Sequence, residues 1–216
     1  MNLDSTIICK ILRKEPISRR FGYNRGLPID RYYIERFLNK NRNFIKGVVA
    51  EVGNGDYIKK FGQRNVKEAL IINKSCDDLS QIKQDLVSGE GTPKNKLDCF
   101  ILTQTLPFIF GVNRAVINAC RALKKNGVLL VTVSGITQIS RYDMDRWGHY
   151  WSFTDLSLKK IFEPLLPKKL KIETYGNVKS ATALLYGLAS QELSRKDLEF
   201  KDPDYPVIIT AVVQKK

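Results

Sequence analysis

Val48-Val49-Ala50-Glu51-Val52-Gly53-Asn54-Gly55-Asp56-Tyr57 decides the fold. An apolar run ends in an acid, and two glycines follow at close spacing. Such a run reads as a buried strand that empties into a tight loop. Glycine there lets the chain turn sharply and lets a ligand approach the backbone. Glu51 at the strand end can accept hydrogen bonds from amino or hydroxyl groups, whereas a phosphate would favour a lysine or a bare helix N-terminus. The loop therefore suits a nucleoside carrying an amino group better than a polyphosphate. The same residues also fit an ordinary strand and turn, so the remainder of the chain has to decide.

Outward from this loop, strands and helices alternate, which predicts an α/β sandwich with a mostly parallel sheet. Pro28 opens a helix in which Tyr33, Ile34, Phe37 and Leu38 recur at helical spacing. Strands are expected at residues 47–52, at 69–72 ending in Asn73, and at a poorly marked third site closed by Asp85-Leu86. Residues 88–96 carry loop chemistry. Further strands are expected at 99–102, 128–133, 170–175 and 207–213. One helix carries Val116, Ala119, Cys120 and Leu123, and closes on Lys124-Lys125-Asn126-Gly127 as a basic last turn with a C-cap glycine. Another is capped by Thr154 and stops before Pro164. A third covers residues 181–193. A doubly wound fold that binds another cofactor is the competing architecture.

Length and composition set the bounds. The 216 residues fit one domain, 1–216, with residues 1–45 as an N-terminal helical extension. A chain of this size buries roughly 70% of its unfolded surface and needs no metal or disulfide staple. The four cysteines, Cys9, Cys76, Cys99 and Cys120, form no Cys-x-x-Cys pair, and His149 is the only histidine. That argues against a structural zinc site, and a reducing compartment fits. Cys99 and Cys120 read as core thiols. The apolar Ile7-Ile8-Cys9 is broken at once by Lys10, too short for a signal or a membrane span. A soluble, cytoplasmic protein is expected. The net charge of +14 attracts polyanions in principle. Yet the pairs Lys124-Lys125, Lys159-Lys160, Lys168-Lys169 and Lys215-Lys216 are dispersed over element ends. They read as a solvated basic surface, with a polyanion partner as the alternative.

The order of several further motifs narrows the reading. They are Arg25-Gly26-Leu27-Pro28-Ile29-Asp30-Arg31-Tyr32-Tyr33-Ile34-Glu35, the Glu51 loop, and Leu102-Thr103-Gln104-Thr105-Leu106. Gly127-Val128-Leu129-Leu130-Val131-Thr132-Val133, the block from Ser140 to Thr154, and Tyr175-Gly176-Asn177-Val178 follow. In this order the chain resembles class I S-adenosylmethionine-dependent methyltransferases over nearly its whole length. More narrowly it is similar to a subgroup found beside glycosyltransferases in glycan pathways of bacteria and large DNA viruses. The resemblance implies a Rossmann-like fold with a mostly parallel sheet of about seven strands, helices on both faces and an antiparallel last strand. It implies S-adenosylmethionine as cofactor, with no metal. It also implies a glycan or nucleotide-sugar acceptor, with transfer to a hydroxyl of a deoxyhexose such as rhamnose, and a functional link to glycosyltransferases.

The resemblance also assigns residues. Glu51, Gly53 and Gly55 would line the methionine and ribose part of the cofactor. Asn73 stands where the family usually has an acid gripping both ribose hydroxyls, and an amide oxygen accepts fewer bonds without charge assistance. Tyr57 stands where a third glycine is common. Asp85 would lie near the adenine edge and Gln104 near the sulfonium. Pro107 replaces an expected histidine. Arg25, Asp30, Arg31 and Tyr33 recur in the family, and Arg25 could meet the cofactor's carboxylate bidentately.

Both tryptophans and the only histidine fall within five residues, 147–151. Aromatic faces bury the C–H face of a sugar while polar neighbours take its hydroxyls. Trp147, Tyr150 and Trp151 are therefore candidate acceptor contacts, and Asp143, Asp145 and His149 candidate bases. A packed loop with surface acids is the bland alternative. Two rival functions remain: an RNA methyltransferase, motivated by the charge, and a catalytically inactive methyltransferase-like partner of a glycosyltransferase, motivated by Asn73 and Pro107.

Overall fold

A computed structural model describes residues 13–73 and 81–216. Cys9, Cys76 and the start of the expected N-terminal extension lie outside the described residues. The chain forms helix α1 (Ile29–Lys40), strands β1 (Gly47–Val52), β2 (Val66–Asn73), β3 (Gln81–Lys83) and β4 (Leu97–Thr103), then helix α2 (Val112–Ala122) and strand β5 (Leu123–Ser134). Helices α3 (Arg141–Trp147) and α4 (Asp155–Phe162), strand β6 (Lys169–Tyr175), helices α5 (Val178–Tyr186) and α6 (Arg195–Glu199), and strand β7 (Ile208–Gln214) complete it. The strands form one sheet of seven in the order β3-β2-β1-β4-β5-β7-β6. All neighbours are parallel except the pairs made by β7, the last strand.

The middle of the sheet explains why the chain needs helices on both sides. Along β4, Cys99 and Ile101 point to one face while Phe100 and Leu102 point to the other. Successive residues of a strand face opposite ways, so an unbroken apolar run must be covered twice. On one face Ala115, Val116 and Ala119 of α2 and Leu158 and Phe162 of α4 provide the cover. On the other, Tyr33, Ile34, Phe37 and Leu38 of α1 and Ala181 and Leu184 of α5 do so. No helix of the described residues is long and apolar enough to cross a membrane.

Four local expectations differ from the structure. The third strand lies at Gln81–Lys83, and Asp85-Leu86 sits beyond it in a turn. The helix before β5 stops at Ala122, because Leu123 is extended and already pairs with Leu97. Lys124-Lys125-Asn126-Gly127 is therefore strand and bulge, with Asn126, not Gly127, in the left-handed region. The helix expected over residues 181–193 starts at Val178 and ends at Tyr186, where Gly187 (φ 73°) caps it in the left-handed region. Finally, residues 141–147 form a helix that the density of aromatics and acids had hidden.

The two-sided burial of β4 gives a direct test. Phe100→Ala should cost about 3–5 kcal/mol and Ile101→Ala about 2–5 kcal/mol, by loss of transfer energy plus the cavity left behind. Urea unfolding of both variants measures this; a cost below about 1 kcal/mol for both would mean that β4 is not the buried centre.

Candidate active site

A cleft of about 1200 Å³ opens beyond the carboxyl ends of the parallel strands. Val52 after β1, Asn73 after β2, Thr103-Gln104-Thr105 after β4 and Ser134 after β5 all line it. From β1 the chain winds outward to β2 and β3, then returns to place β4 on the other side of β1. Loops leaving β1 and β4 therefore diverge, which leaves a crevice where open α/β sheets bind ligands.

Glu51 builds the floor of this crevice. Its side chain is almost fully buried, and its two oxygens accept from the backbone N–H groups of Tyr57 (3.3 Å) and Ile58 (2.8 Å). The carboxylate is committed to folding the loop back on β1, a different task from gripping a ligand donor directly. Burial raises its pKa above the ordinary carboxylate range, and the two amide bonds oppose that rise only in part.

The two loop glycines divide the work. Gly53 (φ 128°) lines the cleft, and a Cβ there would meet open space. Gly55 (φ 78°) does not line it, and a Cβ there would run into the Ile71 side chain. Gly53 lets a ligand approach the backbone, whereas Gly55 serves the turn. Asn73 lines the cleft and its Nδ2 donates to the Gly53 carbonyl at 2.9 Å, tying β2 to the loop. One oxygen of Asp85 accepts from the N–H of Val87 (2.7 Å) and of Ser88 (3.3 Å), so this carboxylate holds its own turn at the cleft wall.

Two amides stand out by lacking partners among the described residues. Gln84 is 3% exposed; its Nε2 donates to Thr92 Oγ1, but its Oε1 is buried with no donor among them. Gln104, left-handed at φ 48°, buries its Nε2 with no acceptor among them. Both line the cleft. An unpaired buried polar atom costs about 1–3 kcal/mol, so each suits a complementary ligand group. Sequence reasoning chose Asp85 and missed its neighbour Gln84, because glutamine next to an acid carries no motif signal.

Arg25 lies off the cleft. Its guanidinium forms a bidentate pair with Glu192, which fixes the N-terminal segment to the turn after α5. Arg31 is the arginine that lines the cleft. Its Nε donates to Tyr23 Oη (2.9 Å) and its Nη1 to Tyr57 Oη (3.3 Å), with Asp30 at 3.9 Å. Burial opposes its charge, but Asp30 and the phenols outweigh that and hold its pKa above the ordinary arginine value. Lys60 also lines the cleft but is paired with Glu35 at 2.7 Å.

Helix α3 forms the opposite wall. Ser140 caps it by accepting from the Asp143 N–H. Asp143 and Trp147, one turn apart, face the cleft, whereas Asp145 is exposed on another face of the helix and does not line it. The Pro107 carbonyl accepts from the N–H groups of both Tyr150 and Trp151. Tyr150 lines the cleft. Trp151 does not: its indole donates to the Ile109 carbonyl (3.0 Å) and its ring stacks on Phe110.

His149 reaches the cleft beside Phe108, their rings 5.0 Å apart. An imidazole thus sits next to Pro107, where the family resemblance called for a histidine. Its Nδ1 accepts from the Ser140 N–H at 3.3 Å, which fixes the neutral ring with its proton on Nε2. Burial lowers its pKa, against the opposing charge of Asp143. In this state His149 is a donor toward the cleft and has no lone pair left for a substrate proton. Among the three sequence candidates, Asp143 is the carboxylate that faces the cleft.

No protein-family model matches the sequence, and no curated protein does. Solved structures do resemble the fold. One is a SAM-dependent methyltransferase from Archaeoglobus fulgidus, with TM-score 0.57 and 12% identity over 85% of this chain and 94% of that one. Another is the N-methyltransferase NodS from Bradyrhizobium japonicum in complex with S-adenosyl-L-homocysteine, with TM-score 0.56 and 12% identity over 93% and 94%. A third is the [4+2]-cyclase SpnF, with TM-score 0.53 and 16% identity over 93% and 86%. The chain has the Rossmann-like α/β fold of class I methyltransferases.

The Arg25–Glu192 pair yields a pH prediction. Glu192 is held down to about 2, by the hydrogen bond from Arg25 first and then by the Ala189 N–H. A depressed carboxylate stabilises the fold above its unfolded pKa and loses that contribution as pH falls through the folded value. Melting temperature should therefore fall between about pH 4.5 and pH 2 more steeply in the native chain than in Glu192→Gln. Parallel curves for the two proteins would show that the pair contributes nothing to stability.

Proposed function

We propose that the protein is an S-adenosylmethionine-dependent O-methyltransferase that acts on a sugar hydroxyl of a neutral glycan, a deoxyhexose such as rhamnose. The observation that carries this reading is the charge and shape of the cleft. Six carboxylates, Asp30, Glu35, Glu51, Asp56, Asp85 and Asp143, line it against two cations, Arg31 and Lys60. A polyanion such as RNA is repelled from such a site, whereas hydroxyl groups find acceptors in it. The aromatic wall of Trp147 and Tyr150 supports a sugar face. The subgroup resemblance in the sequence supports the deoxyhexose.

The residues present fit the cofactor. Gly53 leaves room beside the backbone. Without a partner among the described residues, Gln84 Oε1 would accept from an exocyclic amine of the cofactor, and Gln104 Nε2 would donate to an acceptor on it. Arg31 takes the carboxylate-binding part that the sequence suggested for Arg25. When bound, S-adenosylmethionine supplies a methyl group on a sulfonium, ready for in-line displacement. Asp143 holds the acceptor hydroxyl and takes its proton. His149 donates from Nε2 to a neighbouring acceptor oxygen and orients it. Alignment of this kind is worth about 7–11 kcal/mol in well-oriented systems, and a base adds about 10²–10⁴-fold.

Labelled methyl should pass from S-adenosylmethionine to a rhamnose-terminated oligosaccharide and not to bulk RNA. Transfer to RNA with none to any glycoside would overturn the assignment. Asp143→Asn should lower kcat by about 10²–10⁴-fold with cofactor affinity nearly intact. His149→Ala should act mainly on KM. Full turnover in Asp143→Asn would remove it as the base.

A further inference from the structure

The lysines that are scattered in sequence converge in space, at the end of the sheet opposite the cleft. Lys46 precedes β1, Lys67 lies at the start of β2, and Lys94 and Lys96 precede β4. Lys124 and Lys125 lie in the first residues of β5. On the far half of the sheet Lys168 and Lys169 stand at the head of β6. Lys215 follows β7, whose antiparallel course returns it to the same end. The parallel strands all begin here, so topology gathers what the sequence disperses.

Contacts confirm the continuity of this band. Lys215 Nζ donates to Asn95 Oδ1 (2.8 Å) and to the Leu123 carbonyl (2.6 Å), and Lys168 Nζ donates to Asn126 Oδ1 (2.8 Å). Three carboxylates intervene: Glu68 pairs with Lys96, Asp98 with Lys124 and, in the turn that holds Leu166, Glu163 with Lys159 and Lys160. The other lysines of the band make no ion pair among the described residues. Six adjacent strands at about 4.8 Å spacing make the band roughly 25 Å wide.

We propose that this basic end docks on an anionic membrane surface, with the cleft facing away from it. Three features favour a lipid surface over a nucleic acid. The band is the blunt end of a sheet, and a plane matches a plane. Exposed aromatics, which single-stranded nucleic acids stack on, lie away from the band: Phe110, Trp147 and Tyr150 line the cleft, Tyr142 packs on Trp147, and Phe200 and Tyr205 lie between α6 and β7. The exposed apolar side chain within the band is aliphatic. Leu166 is 68% exposed and left-handed, in the turn that leads to Lys168 and Lys169. Basic charge plus one apolar side chain is the pairing that peripheral membrane binding uses. The proposal does not depend on the reaction assigned to the cleft.

Flotation with phosphatidylcholine vesicles containing 30% phosphatidylserine tests it (about that fraction gives a strong negative surface). The protein should float with these vesicles, stay behind with pure phosphatidylcholine, and be released at high salt. Reversal of Lys94, Lys125 and Lys169 to Glu should weaken binding by at least about a hundredfold, at about fivefold for each positive charge removed plus the repulsion of the three added carboxylates. Leu166→Ser should weaken it further. Replacement of the same lysines by Arg should preserve it, which separates charge from folding. No binding to anionic vesicles, equal binding to neutral ones, or undiminished binding by the reversed variant would overturn the proposal. So would loss of single-stranded RNA binding in the reversed variant with no vesicle binding by the native chain, which would hand the band to nucleic acid.

Discussion

The buried Glu51 carboxylate at the end of β1 is the constraint on which the site depends. Two backbone N–H groups, from Tyr57 and Ile58, converge on it. Hydrogen bonds to a charged group are worth about 1.5–3 kcal/mol each, which offsets only part of the cost of burying this one and leaves its pKa raised. The bond geometry forces residues 53–56 into a reversal that only glycines at positions 53 and 55 accommodate. Gly53 is thereby turned to the cleft, and Asn73 locks its carbonyl from the neighbouring strand. An acid at this strand end is thus a piece of loop architecture first.

Charge is partitioned along the strand axis. Carboxylates gather where the parallel strands end, and lysines where they begin. The net charge of +14 therefore says little about the cleft. A uniformly basic protein would draw polyanions to its cleft; here the proposed acceptor and the proposed anionic surface rest on opposite ends of the sheet, one rich in carboxylates and the other in lysines.

Much of this architecture was legible in the sequence, for identifiable reasons. The strands other than β3 are marked by apolar runs, longest along β4 and β5, and their mostly parallel arrangement follows from the alternation with helices, whereas β3 (Gln81–Lys83) carries no such run. What escaped the sequence depends on tertiary pairing. Leu123 left its helix because Leu97 offered a strand to join. The helix at residues 141–147 is short, carries no fully buried side chain, and so has no apolar stripe to read. At the site, the choice between Arg25 and Arg31 turned on Glu192, far away in sequence, which captures the first and leaves the second in the cleft. The base roles of His149 and Asp145 could not be weighed without the Ser140 N–H that occupies the imidazole or the helix face that turns Asp145 outward. The convergence of lysines was invisible for the same reason: it is a property of strand order.

Calorimetric titration with S-adenosylhomocysteine probes the cleft and its loop together. One site per chain is expected in the native protein. Glu51→Ala should lose at least about tenfold in affinity, about 1.4 kcal/mol, because the loop amides lose the acceptor that shapes the cleft. No heat of binding in the native chain, or unchanged affinity in a folded Glu51→Ala protein, would contradict this reading of the cleft.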